Sequence, residues 1–231
     1  MFWVDDEAKP DDDSSNSIVD IVFTVSARTF PVDHAYALSE AMIEVLPWLV
    51  QETGAGIHQI HVAESGNGWE RPDGDLLFLS RRTKFTMRLP KERLKDAELL
   101  IGKTISVDGH ELQFTKSTVR PFGVLPTQFS RYVLGLADES ENDFLHRCAD
   151  ELKEMGIVVR KMLAGKTHAF QLPEGECMTR TLMIADLSSE HAILLQQRGL
   201  GEGRLKGFGL FIPHKGITAV TDEDGKNQSM D

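Results

Sequence analysis

The chain has 231 residues, 41% of them hydrophobic, enough to bury the core of one large domain or two small ones and to exclude a wholly disordered protein. A formal net charge of −11 argues against nucleic acid, whose phosphates are bound by Lys and Arg, but the acid sits at the ends: Asp5, Asp6, Glu7, Asp11, Asp12 and Asp13 against Lys9, and Asp222, Glu223, Asp224 and Asp231 against Lys226. Cys148 and Cys177 suggest neither a disulfide framework nor a zinc site, and with no secretory leader or membrane-length apolar run the expected compartment is the cytoplasm, with no membrane partner.

Residues 1–17 read as an acidic disordered tail. The β-branched run from Ser17 to Val25 predicts a buried strand. Leu38, Met42, Val45 and Leu49 then recur at helical spacing over 33–50, with Pro47 kinking the helix or ending it early. Ile57 to Val62 predicts a short strand, Glu64 to Gly74 a turn region, and Asp75 to Leu89 a long strand or hairpin arm. Lys91 to Ile101 reads as a short helix, and Thr104 to Phe114 as one or two strands around an Asp108-Gly109 turn.

After the proline-containing stretch from Pro121 to Pro126 the same order recurs in weaker form. Gln128 to Leu136 is the candidate first strand and Glu141 to Met155 an amphipathic helix. Ile157 to Leu163 and Thr167 to Leu172 are two strands meeting at Ala164-Gly165-Lys166, and Arg180 to Ala185 extends or adds a strand. Ser188 caps a helix to Arg198, and Leu210 to Pro213 closes the sheet. The expected fold is therefore α+β, with two tandem ferredoxin-like units resembling RNA-recognition motifs, at 18–120 and 126–215, and a second acidic tail at 216–231.

The final helix and strand are joined by a C-terminal Gly-rich loop, 199–209, holding Gly199, Gly201, Gly203, Gly207 and Gly209 with Arg204 and Lys206 among them. Glycine lets backbone N–H groups approach a partner closely, so such a loop can cradle phosphates or pack tightly on a neighbouring strand. The dinucleotide-binding fingerprint is excluded by context, because it follows a strand and opens a helix. Here the helix comes first.

At these residues the chain resembles a known family. Phe30-Pro-Val-Asp-His34-Ala-Tyr-Ala-Leu38, Leu46-Pro-Trp48, Gly56-Ile-His58, the run from Arg82 to Pro90, and Gly207-Phe-Gly209 occur in an order similar to CRISPR-associated endoribonucleases that cut repeat RNA. These belong to the repeat-associated mysterious protein superfamily, and the likeness is to its myxobacterial-type branch, over roughly residues 18–215. The resemblance implies metal-independent cleavage of CRISPR precursor RNA within the repeat. In that reaction a 2′-hydroxyl attacks its own phosphodiester and leaves a 2′,3′-cyclic phosphate and a 5′-hydroxyl. No cofactor and no metal is implied. The partners would be precursor and mature guide RNA, with other CRISPR effector subunits as further candidates. A non-catalytic repeat-RNA scaffold is the alternative function.

By the resemblance His34 is the catalytic histidine; on residues alone it reads as packing, since Leu38 and Met42 share its helical face. An imidazole suits the task because both protonation forms are accessible near neutrality. The partners of His34 are open, with Lys84 and Tyr132 unanchored. His58 and His61, three apart in a predicted strand, should point to opposite faces, and His61 is the reserve candidate. The most basic stretch is 71–95. If Phe85, Met87 and Leu89 face the core, Arg82, Lys84 and Arg88 share the other face and can track a phosphate backbone. Gly199, Gly201, Arg204, Lys206, Gly207 and Gly209 complete the expected RNA contacts. Trp69 and Phe208 read as core before base-stacking residues.

Overall fold

The structure, a computed structural model, describes residues 17–62 and 74–215. The acidic ends, Trp69 and Arg71 lie outside the described residues.

Alternation of apolar and polar residues builds the first strand. β1 (Ile18–Ser26) turns Ile21, Phe23 and Val25 into a core and leaves Val22 and Thr24 on its other face. There follow β2 (Thr29–Pro31), α1 (Ala35–Val45), β3 (Gly56–Ile57), β4 (Leu76–Phe78), β5 (Lys84–Pro90), α2 (Leu94–Glu98), β6 (Thr104–Val107) and β7 (His110–Arg120). Five of these strands form an antiparallel sheet in the order β3-β5-β1-β7-β6, while β2 and β4 pair apart from it. Leu38 and Met42 of α1 and Ala97 of α2 pack on Phe23, Phe85 and Phe114, so the helices cover one face of this sheet.

Several boundaries move for local reasons. α1 stops before Pro47, which lacks the N–H a continuing helix needs and opens a 3-10 turn, Pro47–Gln51. The predicted 75–89 strand divides into β4 and β5 because Thr83 N–H bonds Ser80 O (3.0 Å) and Thr83 Oγ1 receives Ser80 N–H (3.1 Å), closing a turn. The Asp108-Gly109 turn has both residues at positive φ, 48° and 78°, as a two-residue hairpin requires, and the following strand runs on to Arg120.

The second half contributes β8 (Gln128–Leu134), α3 (Glu141–Glu154), β9 (Lys161–Leu172), β10 (Gly175–Ala185), α4 (Ser189–Arg198) and β11 (Ile212–Pro213), with sheet order β11-β8-β10-β9. Ser140 and Ser188 cap α3 and α4 by accepting the N–H groups of Asp143 and His191. Phe144, Cys148 and Leu152 of α3 meet Leu182 and Ile184 of β10 in a second core. Burial pushes the Cys148 thiol up to about 12, leaving it inert.

The turn expected at Ala164-Gly165-Lys166 is absent. β9 runs straight through, and the hairpin turns instead between Leu172 and Gly175. Gly165 serves a close crossing: a Cβ there would lie 2.2 Å from Thr181 Oγ1. The architecture is a mixed α+β fold of antiparallel sheets. No helix among the described residues is long and apolar enough to cross a membrane.

Candidate nucleic-acid interface

Between the uncovered face of the five-stranded sheet and the β8 and β11 strands lies a cleft of about 380 Å³. Its cations come from separate elements: Arg82 precedes β5, Lys84 opens it, Arg120 ends β7, and Arg131 lies in β8. Arg82, Lys84 and Arg120 are exposed. His58, Gln59 and His61 line the same cleft with Phe129 and Tyr132. Burial holds the Arg131 guanidinium below its ordinary range, and burial followed by the Arg88 charge pushes the His58 imidazole down to about 3. His58 is therefore neutral at physiological pH.

His58 and His61 were expected on opposite faces of a strand, and the structure corrects this. β3 ends at Ile57, and the chain then leaves the strand conformation. His58 N–H still bonds Thr86 O (3.0 Å), but Ile60 N–H is taken by His34 Nε2 (3.0 Å). The imidazole of His34 thus occupies the donor that another strand residue would use. Freed from period-two alternation, both histidines reach the cleft.

The same bond decides the state of His34. Its Nδ1 donates to Pro31 O (2.7 Å) while its Nε2 accepts from Ile60, so the ring is neutral with the proton on Nδ1. It is 1% exposed and packs edge-on to Phe30 at 4.9 Å. In this conformation His34 presents neither nitrogen to a substrate and acts as a latch that shapes residues 58–62. For His34 to move the reaction's protons, one of these two hydrogen bonds has to open.

His61, by contrast, is exposed, and its ring centroid lies 5.8 Å from that of Tyr132. The Tyr132 ring meets His168 at 5.4 Å and Phe170 at 5.0 Å, both edge-on. The Tyr132 phenol of β8 thus meets the His61 imidazole within the cleft, while the His168 imidazole of β9, which does not line the cleft, packs against the same ring.

Arg88 was expected on an exposed phosphate track. It does lie on the face opposite Phe85, Met87 and Leu89, but the second half of the chain covers it and it is 0% exposed. Its guanidinium meets Asp20 at 2.9 and 3.3 Å and donates to Gln196 O (2.7 Å) and Phe211 O (3.0 Å). Burial raises the Asp20 carboxyl, but Arg88, with His58 and Arg120, outweighs it and leaves Asp20 below its ordinary value. Arg204 is likewise committed, donating to the carbonyls of Gly54, Ala55, Gln197 and Arg198. Burial lowers it to about 10, still protonated at neutral pH. Both arginines join the two halves of the chain.

The 199–209 segment is not an open loop but folds back on itself, with Leu200 N–H to Gly209 O (3.0 Å) and a 3-10 turn, Arg204–Lys206. Its N–H groups are spent internally: Gly199 on Leu195 O, Gly201 on Glu151 Oε1, Gly207 on Arg204 O and Gly209 on Tyr132 O. A phosphate cradle needs those donors, so the expected RNA contacts of Gly199, Gly201, Gly207 and Gly209 give way to packing. A Cβ on Gly209 (φ 67°) would sit 1.9 Å from Leu200 O, whereas one on Gly201 meets nothing within 4 Å. Gly209→Ala is expected to cost more than about 2 kcal/mol, about 4–8 °C in Tm, and Gly201→Ala only the backbone term of about 1–2 kcal/mol; paired thermal melts check the ranking.

Of the expected site residues, the structure brings Arg82, Lys84 and His61 together in the cleft, and leaves Lys206 half-buried beside it on the folded segment. Phe208 is core, 1% exposed. The sequence reading missed Arg120, Arg131 and His168. The alternation Lys116, Thr118, Arg120 after the predicted strand end was the one signal available for Arg120. Among the described residues no three His, Cys, Asp or Glu side chains gather as metal ligands.

A sequence profile of the family described as Cas6 Crispr matches residues 19–216. The CRISPR-associated endonuclease Cas6 of Myxococcus xanthus is 26% identical over 208 residues, covering 90% of this chain and 86% of that protein. Among solved structures, a CRISPR-associated protein Cas6 superposes with a TM-score of 0.58 at 11% identity, over 86% of this chain and 100% of its own. A Cas6-related protein from Pyrococcus furiosus gives the same score at 14% identity, over 84% and 97%. These two likenesses establish a shared fold, and the profile match across most of the sequence establishes more: this chain belongs to the Cas6 family.

Proposed function

We propose that the protein is an endoribonuclease that processes CRISPR repeat RNA in the cleft between its two sheets, without a metal ion. One observation carries the reading: His61 stands against Tyr132 inside a cleft rimmed by Arg82, Lys84, Arg120 and Arg131. The family match and the endonuclease relative support the reaction class. The strand orders β3-β5-β1-β7 and β11-β8-β10-β9, each from strand-helix-strand-strand-helix-strand, support two tandem ferredoxin-like units.

In the proposed reaction a ribose 2′-oxygen attacks the adjacent phosphorus and the bond to the 5′-oxygen breaks. The 2′-proton passes to the imidazole of His61, and the leaving 5′-oxygen takes a proton from water. The products are a 2′,3′-cyclic phosphate and a 5′-hydroxyl. Arg82, Lys84 and Arg131 hold the phosphates, and Lys206 extends that charge; base contacts would add sequence preference. His34 is a positioning residue, acting through the Ile60 amide.

The test is incubation with the cognate repeat RNA in excess chelator. The expected outcome is a single cut with a cyclic phosphate end. Cleavage that needs a divalent ion overturns the mechanism, and tight binding without cleavage assigns the protein the scaffold role instead. Arg82→Ala with Lys84→Ala is expected to weaken binding uniformly across sequences and reduce the slope of log K against log salt by about 2, read by fluorescence anisotropy.

A further inference from the structure

The face of the five-stranded sheet that carries Arg88 is covered only at one end. Register sets its composition row by row. In the covered row Asp20 pairs with Arg88 on β5 and with Arg120 on β7; in the next, Val22 pairs with Thr86 and Thr118; in the third, Thr24 pairs with Lys84 and Lys116. All three positions in each row project from the same face, since partners directly opposite in an antiparallel sheet share a side. The helices lie on the other face, so these two outer rows open to solvent: Lys84, Lys116 and Thr118 are exposed and Val22, Thr24 and Thr86 half-buried, and in the first row Arg120 is exposed at its β7 edge.

The charge on this face runs against that of the chain. Across these three rows four cations, Lys84, Arg88, Lys116 and Arg120, stand against one carboxylate, Asp20, in a protein of net charge −11; the next carboxylate on this face is Glu111, farther along β7 opposite Ser106. The Asp20 carboxylate is already shared between Arg88 at 2.9 Å and Arg120 at 3.3 Å. Nothing acidic stands between Lys84 and Lys116. Lys84 Nζ instead donates to Thr24 Oγ1 at 2.7 Å, which fixes its ammonium over the middle of the third row. Neighbouring strands are about 4.8 Å apart, so the two lysines begin about 10 Å from each other across Thr24. Like charges so placed repel, and a polyanion laid over the row relieves them.

Lys84 and Arg120 belong at once to this face and to the cleft. We propose that the open sheet face is a second RNA-binding surface continuous with the cleft, and that Lys116 holds the phosphate backbone of the segment leaving the cleavage site. This rests on the reading of the cleft as the RNA site and extends it. From the Asp20 row to the Thr24 row is four residues, about 14 Å, so the face holds only a short stretch of single strand. Its small polar side chains, Thr24, Thr86 and Thr118, leave the sheet low enough for a strand to lie flat.

The experiment compares two RNAs: a minimal one spanning the cut site and a longer one extended on both sides. Binding to each is followed by anisotropy across a salt series for the wild type, Lys116→Ala, Lys116→Glu and Lys95→Ala. Lys95 is an exposed cation on α2, which packs on the opposite face of the sheet. With the long RNA, Lys116→Ala is expected to lower the salt slope by about 1 and Lys116→Glu by more, while Lys95→Ala leaves it unchanged. With the minimal RNA the four proteins should bind alike. Equal slopes for the wild type and both Lys116 variants on the long RNA overturn the proposal while the cleft reading stands. Failure of the wild type to bind either RNA removes the cleft reading itself.

Discussion

His61→Ala should cleave repeat RNA about 10²- to 10⁴-fold more slowly than the wild type in single-turnover assays, with binding changed less than about threefold, because general acid–base help contributes on that scale. His61 is exposed, so the substitution removes no core packing and the variant should melt like the wild type. Its pH–rate profile should lose the limb that reports the imidazole. His34→Gln is the companion arm, since hydrogen bonds in a free enzyme can rearrange when substrate binds. If His34 only positions the 58–62 segment, its variant cleaves more slowly with that limb intact. It should also be less stable, because the buried Ile60 amide loses its acceptor at a cost of about 1–3 kcal/mol. Full cleavage by His61→Ala together with a lost limb in His34→Gln would return the chemistry to His34.

Arg88→Ala is expected to destabilise the fold by about 3–5 kcal/mol, the usual consequence of breaking a buried ion pair from one side. Asp20 would lose its main counter-charge in a buried site with only Arg120 beside it, and the carbonyls of Gln196 and Phe211 would lose their donor. Urea unfolding measures this. Arg88→Lys should recover only part of the loss, because an ammonium cannot span Asp20 and both carbonyls as the guanidinium fork does. If Arg88 instead bound phosphate, its loss would leave stability unchanged and lower the salt slope of RNA binding. These outcomes separate a clamp from a ligand contact.

Arg88 and Arg204 mark where the sequence stopped being informative. An arginine on the polar face of an alternating strand looks the same whether that face meets water or another domain. The β5 pattern gave the correct face for Arg88. What covers it comes from Gln196, Phe211 and Phe122, more than thirty residues away in the chain and invisible to any local period. The glycines behaved similarly. Their density announced a backbone need, but close approach to a phosphate and close approach to Leu200 O call for the same residue.

Local rules sufficed where the deciding interaction is local. The two-residue turn at Asp108-Gly109, the serine cap of α4, and the break at Pro47 follow from groups within a few residues of each other. Most strands and helices and their order were legible for that reason, though not β2 or the unbroken β9, and so was the likeness to the family. The proposed site in the cleft was not. It requires His34 to reach across and take the Ile60 amide, ending β3 so that His58 and His61 both turn inward, and it requires β8 to bring Tyr132 against His61 from the other half of the chain. The sequence alone determined most of the elements, their order and the residue types available for chemistry. The tertiary structure decided which of them meet, because burial and pairing depend on partners that the chain supplies only once both sheets are in place.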